Sequence, residues 1–281
     1  MKIIENQLKK IIGEQHNSVG LLYSGGLDSS IIAKIMTTLI RPSSIIAVSV
    51  GLQDSYDLNS AAFGARELGI SLNTCILTME LVLEAIEILK QMNIIYHPVA
   101  LTIAIPIFLG MQTLAKNLNV KIVFLGQGAD ELFGGYQRYV HLYKNEGFET
   151  LRKVMTSDLH TLQEDQIIRE HKMAQYLGLD LIYPFLDPRI IKRANFYPIT
   201  THIIYTSQGE IIRKALLRDL AKKLGLSESI ADRPKKAIQY GSGTIRLLKR
   251  IAKFNNYRSI SDWFQACFQP DDISVNRIEK I

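Results

Sequence analysis

Two adjacent glycines and a cluster of small polar residues follow a short apolar run near the start of the chain. The sequence SGGLDSS occupies residues 24–30. Adjacent glycines let the backbone approach a bulky anion without a clash at Cβ, and Ser29 falls where the free N–H groups of a helix start would face that anion. Asp28 fits beside phosphates when a divalent cation bridges them, because Mg²⁺ is usually held by carboxylates together with phosphate oxygens. We expect a phosphate site here; an ordinary glycine-rich turn is the alternative.

A second glycine-rich stretch carries two more carboxylates. The sequence LGQGADELFGGY occupies residues 125–136 and follows an apolar run. Asp130 is the candidate second carboxylate for the cation at Asp28. The alternative is a surface loop with solvated acids, but Leu132, Phe133 and Tyr136 would hold the stretch against a core.

A basic segment, RPKK at residues 233–236, could supply positive charge to a phosphate. Negative charge that develops on phosphoryl oxygens needs fixed positive charge, which a metal ion or a Lys or Arg side chain supplies. Lys235 is the candidate for this task. Read without any relative, the segment more readily indicates a solvated basic turn.

The elements around these stretches predict an α/β fold with a doubly wound, mainly parallel sheet. Short apolar runs at residues 18–23 and 44–50 are typical of buried parallel strands, and residues 72–77 and 119–125 are predicted as two further strands. Helices alternate with these strands, as the helical spacing of apolar residues indicates over 2–13, 57–68, 81–91 and 97–118. Ligands of such sheets bind beyond the carboxyl ends of the strands, where the loops at residues 24 and 126 begin.

The second half of the chain differs in character. Helical patterns cover 145–178 and 209–224, and residues 183–188 predict a rigid extended or turn segment. We expect an α/β core that carries the phosphate site over 1–140 and a mostly helical portion over 141–281, which could also be one continuous domain.

Composition excludes several classes of protein. The chain has 281 residues, 47% of them hydrophobic, and a formal net charge of +6, which suits an anionic substrate and also RNA. Cys75 and Cys267 form no CxxC pair, the six histidines show no metal-site spacing, and the N-terminus does not resemble a signal peptide. The longest apolar run, 98–111, is too short to span a bilayer. We expect a cytoplasmic location without a membrane partner.

These stretches together resemble a known family. The loop at 24–30 resembles that of the ATP-pyrophosphatase (PP-loop) superfamily, which has the adenine nucleotide alpha hydrolase-like fold. The stretch at 125–136 resembles the GEGADELFGGY motif of the asparagine synthetases, in their ATP-dependent half, a group that includes the β-lactam synthetases. Further stretches match motifs of the family, in the family's order. They are SVGL at 49–52 with Asp57, KMA at 172–174, YPFLD at 183–187, IIRKA at 211–215 and RPKKAIQYGSG at 233–243.

The resemblance implies a function and a set of site residues. It implies an ATP-dependent, AMP- and pyrophosphate-forming ligase that adenylates a carboxylate and passes it to ammonia or an amine, in amino-acid biosynthesis. ATP and Mg²⁺ are the implied cofactors, and Asp28 and Asp130 are the implied metal ligands. The implied catalytic residues are Lys235, which would contact the phosphates, Gln127 and Asp130. The implied nucleotide-binding residues are Leu22, Ser24, Gly25, Gly26, Asp28, Ser29, Val50 and Gly126. The implied substrate-side residues are Asp187, Asp180 and Gly128.

Three departures from the family pattern bear on activity. Gln127 stands where the family has a glutamate, and an amide cannot accept a proton from an amine. Asp180 and Ile182 stand where the family has a glutamate and an arginine, so the amino-acid substrate is expected to differ. Lys2 stands where glutamine-using relatives have a nucleophilic cysteine, so ammonia is expected from solution or from a separate glutaminase subunit.

Two other functions stay open on the sequence alone. One is a PP-loop enzyme that modifies tRNA, for which no paired cysteines or basic appended domain are visible, so nucleic acid is not the expected partner. The other is a catalytically weakened nucleotide-binding subunit or sensor, suggested by Gln127 and Ile182. The sequence does not define the oligomeric state, for which a homodimer is one candidate.

Overall fold

A five-stranded parallel sheet forms the centre of the protein, in the order β3-β2-β1-β4-β5. The structure is a computed structural model that describes residues 5, 6, 9, 18–118, 120–206 and 210–268. The strands are β1 (Val19–Leu22), β2 (Ile45–Gly51), β3 (Ser71–Ile76), β4 (Ile122–Phe124) and β5 (Asp180–Ile182). The predicted α/β fold with a doubly wound parallel sheet is confirmed, and so are its four predicted strands.

The direction in which strands are added reverses at β1. The chain passes from β1 to β2 to β3 on one side and returns to place β4 on the other side of β1, with Leu21 opposite Phe124. A reversal of this kind opens a crevice beyond the carboxyl ends of the two central strands. The two glycine-rich loops leave β1 and β4 at that place.

Helices connect and cover the strands. In the first half they are α1 (Leu27–Thr37), α2 (Tyr56–Leu68), α3 (Met79–Gln91), α4 (Pro98–Gln112) and α5 (Ala129–Phe133). The second half contains α6 (Gln137–Thr161), α7 (Ile167–Leu177), α8 (Pro188–Phe196), α9 (Ala215–Lys223), α10 (Glu228–Ala231), α11 (Ile238–Gly241), α12 (Thr244–Phe254) and α13 (Ile260–Phe268). The predicted helices over 57–68, 81–91, 97–118 and 145–178 are present. Most of the predicted helix over 2–13 lies outside the described residues.

Helix α4 is the apolar helix of the core. Together with a π-helical continuation it reaches Lys116, and its length and composition would suffice to cross a membrane. Its side chains from Ala100 to Met111 are nevertheless mostly buried against the sheet and other helices. This burial is typical of the central helix of a soluble α/β protein.

Two short elements correct the sequence prediction. Residues 180–182 form the edge strand β5 beside β4, although the sequence suggested few strands after residue 140. The segment 211–213, predicted as the start of a helix, is β7 (Ile211–Arg213) and pairs antiparallel with β6 (Ile203–Tyr205). Helix α9 therefore begins only at Ala215.

Both halves of the chain contribute to one main hydrophobic cluster. It extends from Val19 in β1 to Phe264 in α13, and a smaller cluster lies around Tyr139 and Leu151. The division near residue 140 stays a prediction.

Candidate active site

The loops after β1 and β4 line one cleft at the crevice of the sheet. The cleft is bounded by Ser24, Asp28 and Ser29 from the first loop and by Gly126, Gln127 and Asp130 from the second. Lys235 and Lys236 close it from the C-terminal half. Residues far apart in sequence thus meet where the sheet topology predicts a ligand.

The first loop has the geometry that its glycines predict. Gly25 has a φ of +65°, and a Cβ there would collide with the backbone of Ser60, so a glycine is required. Gly26 precedes α1, which begins two residues before Ser29. The Ser24 hydroxyl accepts a hydrogen bond from the Gly26 N–H at 3.3 Å, and Ser29 Oγ donates to the Gly26 carbonyl at 3.2 Å. The loop is therefore ordered by its own side chains.

Arg233 ties the C-terminal half to this loop. Its guanidinium donates to the Gly25 carbonyl at 2.6 Å and lies over the Tyr56 ring, 4.4 Å from the ring centre. The Tyr56 hydroxyl donates to the carbonyl of Pro234, and the Lys236 ammonium lies 3.8 Å from the same ring centre. The basic segment is thus a fixed part of the cleft wall, although Lys236 itself is exposed.

Two lysines join the two predicted metal-binding aspartates. Lys214 Nζ lies 2.6 Å from Asp28 Oδ2 and 2.8 Å from Asp130 Oδ1. Lys235 Nζ lies 2.5 Å from Asp130 Oδ2. The structure therefore brings Asp28, Asp130 and Lys235 together as the sequence suggested, and it adds Lys214 between the carboxylates.

Lys214 is the site residue that the sequence argument missed. It stands at a φ of +54°, a left-handed conformation that costs a non-glycine residue free energy, and its side chain is 3% exposed. A Cβ on Gly135 would collide with both the Asp130 carboxylate and the Lys214 side chain. The IIRKA motif was the available signal, but nothing in it indicated contact with Asp28, 186 residues earlier in the sequence.

The charges in this cluster stabilise one another. Burial alone would raise the pKa of Asp130, but Lys214 and Lys235 hold it well below its usual range. Burial alone would lower the pKa of Lys235, but Asp130 and Asp28 raise it above its ordinary value. The Asp130 carboxylate and the Lys235 ammonium are therefore charged at neutral pH, and Lys235 lines the cleft.

The cluster fits a hard divalent cation. Asp28 Oδ1 is buried and has no hydrogen-bond partner among the described residues. A free carboxylate oxygen beside a second carboxylate is a donor set that suits Mg²⁺, with phosphate and water oxygens completing it. The described residues contain no group of three or more histidine, cysteine or acidic side chains that could hold a metal ion.

An apolar wall adjoins the charged cluster. Leu22 and Val50 line the cleft together with Pro106 and Ile107 of α4. A Cβ on Gly110 would lie 2.6 Å from a Leu22 methyl, so α4 packs close against the strand ends. Such a wall suits the face of an aromatic base.

Gln127 is held from behind by a buried carboxylate. Its Nε2 donates to Glu170 Oε1 at 2.8 Å. Glu170 is fully buried in α7 and also accepts hydrogen bonds from Gln166 and from the Tyr183 hydroxyl, each at 2.8 Å. Burial raises the pKa of Glu170, while these donors oppose the shift.

None of the predicted substrate-side residues is among those that line the cleft. Asp187 caps helix α8 and pairs with Arg189, whose hydrogen bonds lower the pKa of Asp187. Asp180 begins edge strand β5 and is exposed. Gly128 belongs to the second loop, where it has a φ of +89° and packs against Leu186. The substrate roles of these three residues stay predictions.

Asp57 is a further carboxylate of the cleft wall. It is 6% exposed, and burial raises its pKa to about 7, although Arg233 opposes the shift. Gly241 packs directly against its carboxyl group, where a Cβ would collide. Asp57 thus places a group that titrates near neutrality beside the basic segment.

The five-stranded parallel sheet, with two carboxylates and two lysines at its switch point, places this chain among the α/β proteins that have a ligand crevice beyond the carboxyl ends of their strands. A family model described as asparagine synthase matches residues 7–149 and 143–263, and this chain belongs to that family. A putative glutamine-hydrolyzing asparagine synthetase 1 of Methanocaldococcus jannaschii is 31% identical over 280 residues, which cover 88% of this chain and 49% of that protein. A glutamine-hydrolyzing asparagine synthetase 1 of Lotus japonicus is 32% identical over 241 residues, with 80% and 39% covered.

Solved structures with a similar arrangement include NMN synthetase from Francisella tularensis. Its TM-score is 0.46 at 13% identity, with 96% of this chain and 92% of that chain covered. The U34-tRNA thiolase NcsA from Methanococcus maripaludis has a TM-score of 0.39 at 14% identity, with 99% and 83% covered. The chain spans about two fifths to one half of the length of the curated relatives named above.

Proposed function

We propose that this chain is an ATP-dependent amide ligase that forms AMP and pyrophosphate and activates a carboxylate as its adenylate. A carboxylate oxygen attacks the α-phosphorus, the bond to the bridging oxygen of the β-phosphate breaks, and pyrophosphate leaves. Ammonia or an amine then attacks the acyl carbon, AMP leaves with the bonding electrons, and the nitrogen loses a proton to give the amide. The supporting observation is the cluster of Asp28, Asp130, Lys214 and Lys235 between the two loops.

Each residue of the cleft has a task in this proposal. The loop at residues 24–29 binds the pyrophosphate half of ATP, with Arg233 keeping its backbone in place. Lys235 and Lys214 neutralise negative charge on the phosphates as the α–β bond breaks, without reorganisation at the moment of reaction. Leu22, Val50 and Gly126 border the adenine.

Asp28 and Asp130 would hold Mg²⁺, with Asp28 Oδ1 as the free ligand atom. When bound, the metal screens the phosphate charge and assists departure of pyrophosphate. Lys214 bridges the two carboxylates, so a bound cation would share them with its ammonium group.

The nitrogen donor is ammonia or a small amine, taken from solution or from a separate glutaminase subunit, and the site of action is the cytoplasm. Gln127 offers no general base on the cleft, so a base for the incoming nitrogen must come from water or from the substrate itself. This same observation favours a second candidate, a nucleotide-binding subunit that forms no amide.

Exchange of labelled pyrophosphate into ATP tests the proposal. The protein is incubated with ATP, Mg²⁺ and each amino-acid carboxylate in turn, beginning with L-aspartate. Exchange that depends on one carboxylate supports adenylation. Tight ATP binding with no exchange for any acid would favour the binding subunit and contradict the ligase.

A further inference from the structure

The last part of the chain contains a long run without acidic residues. From Arg233 to Ser261 the sequence has eight lysines and arginines and no aspartate or glutamate. The whole chain has a formal net charge of +6, so the rest of the chain is slightly acidic and the positive charge is concentrated here. Three of the eight cations, Arg233, Lys235 and Lys236, belong to the cleft. The other five lie in α12 or shortly after it.

Four of these five cations lie on one face of helix α12. Positions i, i+3, i+4 and i+7 of a helix share a face, and here they are Arg246, Lys249, Arg250 and Lys253. We call these four residues the basic face of α12. All four are exposed, and the face is about 10 Å long at a rise of 1.5 Å per residue.

The opposite face of α12 packs on the protein core. Its buried residues are Leu247, Leu248, Ile251 and Ala252, which belong to the main hydrophobic cluster. This packing holds the basic face outward. It also leaves α12 without a free apolar side, which a helix that lies in a membrane surface would need.

The basic face is not neutralised by acidic side chains. On helix α9, Lys222 and Lys223 each pair with an aspartate, whereas no described residue forms a salt bridge with the basic face. Its neighbours at i+3 and i+4 carry the same charge and repel one another, although solvated surfaces commonly mix both signs. The face therefore costs stability that an anionic partner would recover.

Exposed aromatic rings flank the basic face. Phe254 ends α12 and is 75% exposed, and Tyr257 follows at 37% exposure, next to Arg258. Tyr240 of α11, which packs against α12, is 65% exposed. Aromatic rings among cations are the surroundings in which single-stranded nucleic acids bind, because the bases stack on the rings while the cations neutralise the phosphates.

These features favour one class of polyanion. Protein interfaces are depleted in lysine and have an apolar centre, whereas the centre of this face consists of lysine and arginine. A duplex keeps its bases stacked inside, which would leave the exposed rings without a partner. Loops and ends of folded RNA present unstacked bases together with phosphates.

We propose that the basic face of α12, together with Phe254 and Tyr257, binds single-stranded RNA. The sequence alone did not lead us to expect this partner. The proposal goes beyond the ligase reaction and does not depend on it.

Fluorescence anisotropy of a labelled oligouridine of about twelve nucleotides measures this binding. If four phosphates are neutralised, log K should fall against log [KCl] with a slope of about −2.8. Lys249→Gln combined with Lys253→Gln removes two contacts, so the slope should become about −1.4 and the affinity at 0.1 M KCl should fall about tenfold or more. Phe254→Ala should lower the affinity about fivefold or more and leave the slope unchanged.

The matched control is Lys121→Gln combined with Lys192→Gln. Both lysines are exposed, one directly before β4 and the other on α8, so this variant loses the same charge outside the basic face. Its affinity for the oligouridine should stay within about threefold of wild type. Equal losses in the two double variants, or no salt-dependent binding in wild type, would overturn the proposal.

Three competitors identify the partner and the site. Saturating ATP with Mg²⁺ should leave the oligouridine bound, whereas displacement would place the RNA in the cleft and overturn the proposal. Polyglutamate or phosphatidylserine vesicles that bind as tightly as the oligouridine would also overturn it, by assigning the face to a protein or a membrane. Failure of pyrophosphate exchange would defeat the proposed function alone, because the anisotropy measurement requires no turnover.

Discussion

Replacing Lys214 with methionine tests the charge cluster most severely. The side chain keeps its length and its burial but loses the cation that lies 2.6 Å from Asp28 and 2.8 Å from Asp130. Asp28 is then left in a partly buried position without a counterion, since Lys235 contacts Asp130 alone. The backbone strain at residue 214 is unchanged, because methionine has the same Cβ.

The magnitude follows from burial. Breaking a buried ion pair from one side costs about 3–5 kcal/mol, because an uncompensated charge remains. Asp28 and Asp130 are 16% and 12% exposed and Asp130 retains Lys235, so we take the lower end, about 3 kcal/mol. For a domain of this size that corresponds to a fall in Tm of about 6 °C or more.

The assay is thermal unfolding with and without Mg²⁺. Two carboxylates that have lost their lysine should bind a divalent cation more readily, so MgCl₂ should raise the Tm of Lys214→Met more than that of wild type. A cation present at a hundred times its Kd would restore about 2.7 kcal/mol.

The control is Lys222→Met. Lys222 makes an ion pair of similar length, 2.8 Å, with Asp232, but both side chains are about half exposed, so its loss should hardly change the Tm. Equal Tm changes in the two variants, or an equal response to MgCl₂, would refute the view that Lys214 holds two carboxylates in a cation site.

Three more predictions concern single side chains of the cleft. Asp57 has its pKa raised from 3.8 to about 7, so the folded state binds the extra proton and stability falls as pH rises from about 4 to 7. Asp57→Asn should remove up to about 3 kcal/mol of this dependence in urea unfolding between pH 5 and 8, and an unchanged pH profile would count against it. Gln127→Glu places a second carboxylate against Glu170, so it should lower stability increasingly as pH rises. Adding Glu170→Gln should recover about 0.5–3 kcal/mol in a double-mutant cycle, and additive effects would contradict the contact. Lys235→Ala should lower the rate of AMP formation about 100- to 1000-fold. The control is Lys236→Ala, which should lower that rate less than tenfold because the Lys236 side chain is exposed over the Tyr56 ring. Equal losses in the two variants would contradict a special role of Lys235.

The central strands of the sheet could be predicted from the sequence because they are buried on both faces. Residues 44–50, for example, are mostly apolar, as expected of a strand in the middle of a parallel sheet. Edge strand β5 is only three residues long and half exposed, so its composition does not separate it from a turn. β7 was mistaken for a helix because its neighbours continue an amphipathic pattern into α9.

The cleft could be predicted in part. Two loops with glycines and carboxylates each follow a predicted strand, which indicated that Asp28 and Asp130 would meet. The order of the strands in the structure brings the two loops together. Lys214 could not be placed in this way, because its contact with Asp28 depends on a left-handed turn after β7 that no local pattern specifies.

The sequence did not indicate the hydrogen bond between Gln127 and Glu170 either. It joins residues 43 positions apart, on a loop and on the buried face of α7. The sequence showed Gln127 as a departure from its family, but only packing shows what stands behind the amide. Asp187 illustrates the reverse case, since its position before Pro188 was compatible with a helix cap and the structure shows that cap.

The central claim is that this cleft breaks ATP at the α-phosphate. The most direct measurement is a single-turnover reaction with ATP labelled on the α-phosphorus, Mg²⁺, and the carboxylate that supports exchange. The account predicts labelled AMP and an equal amount of pyrophosphate, with neither formed when Asp28 is replaced by asparagine. Labelled ADP together with inorganic phosphate would contradict it.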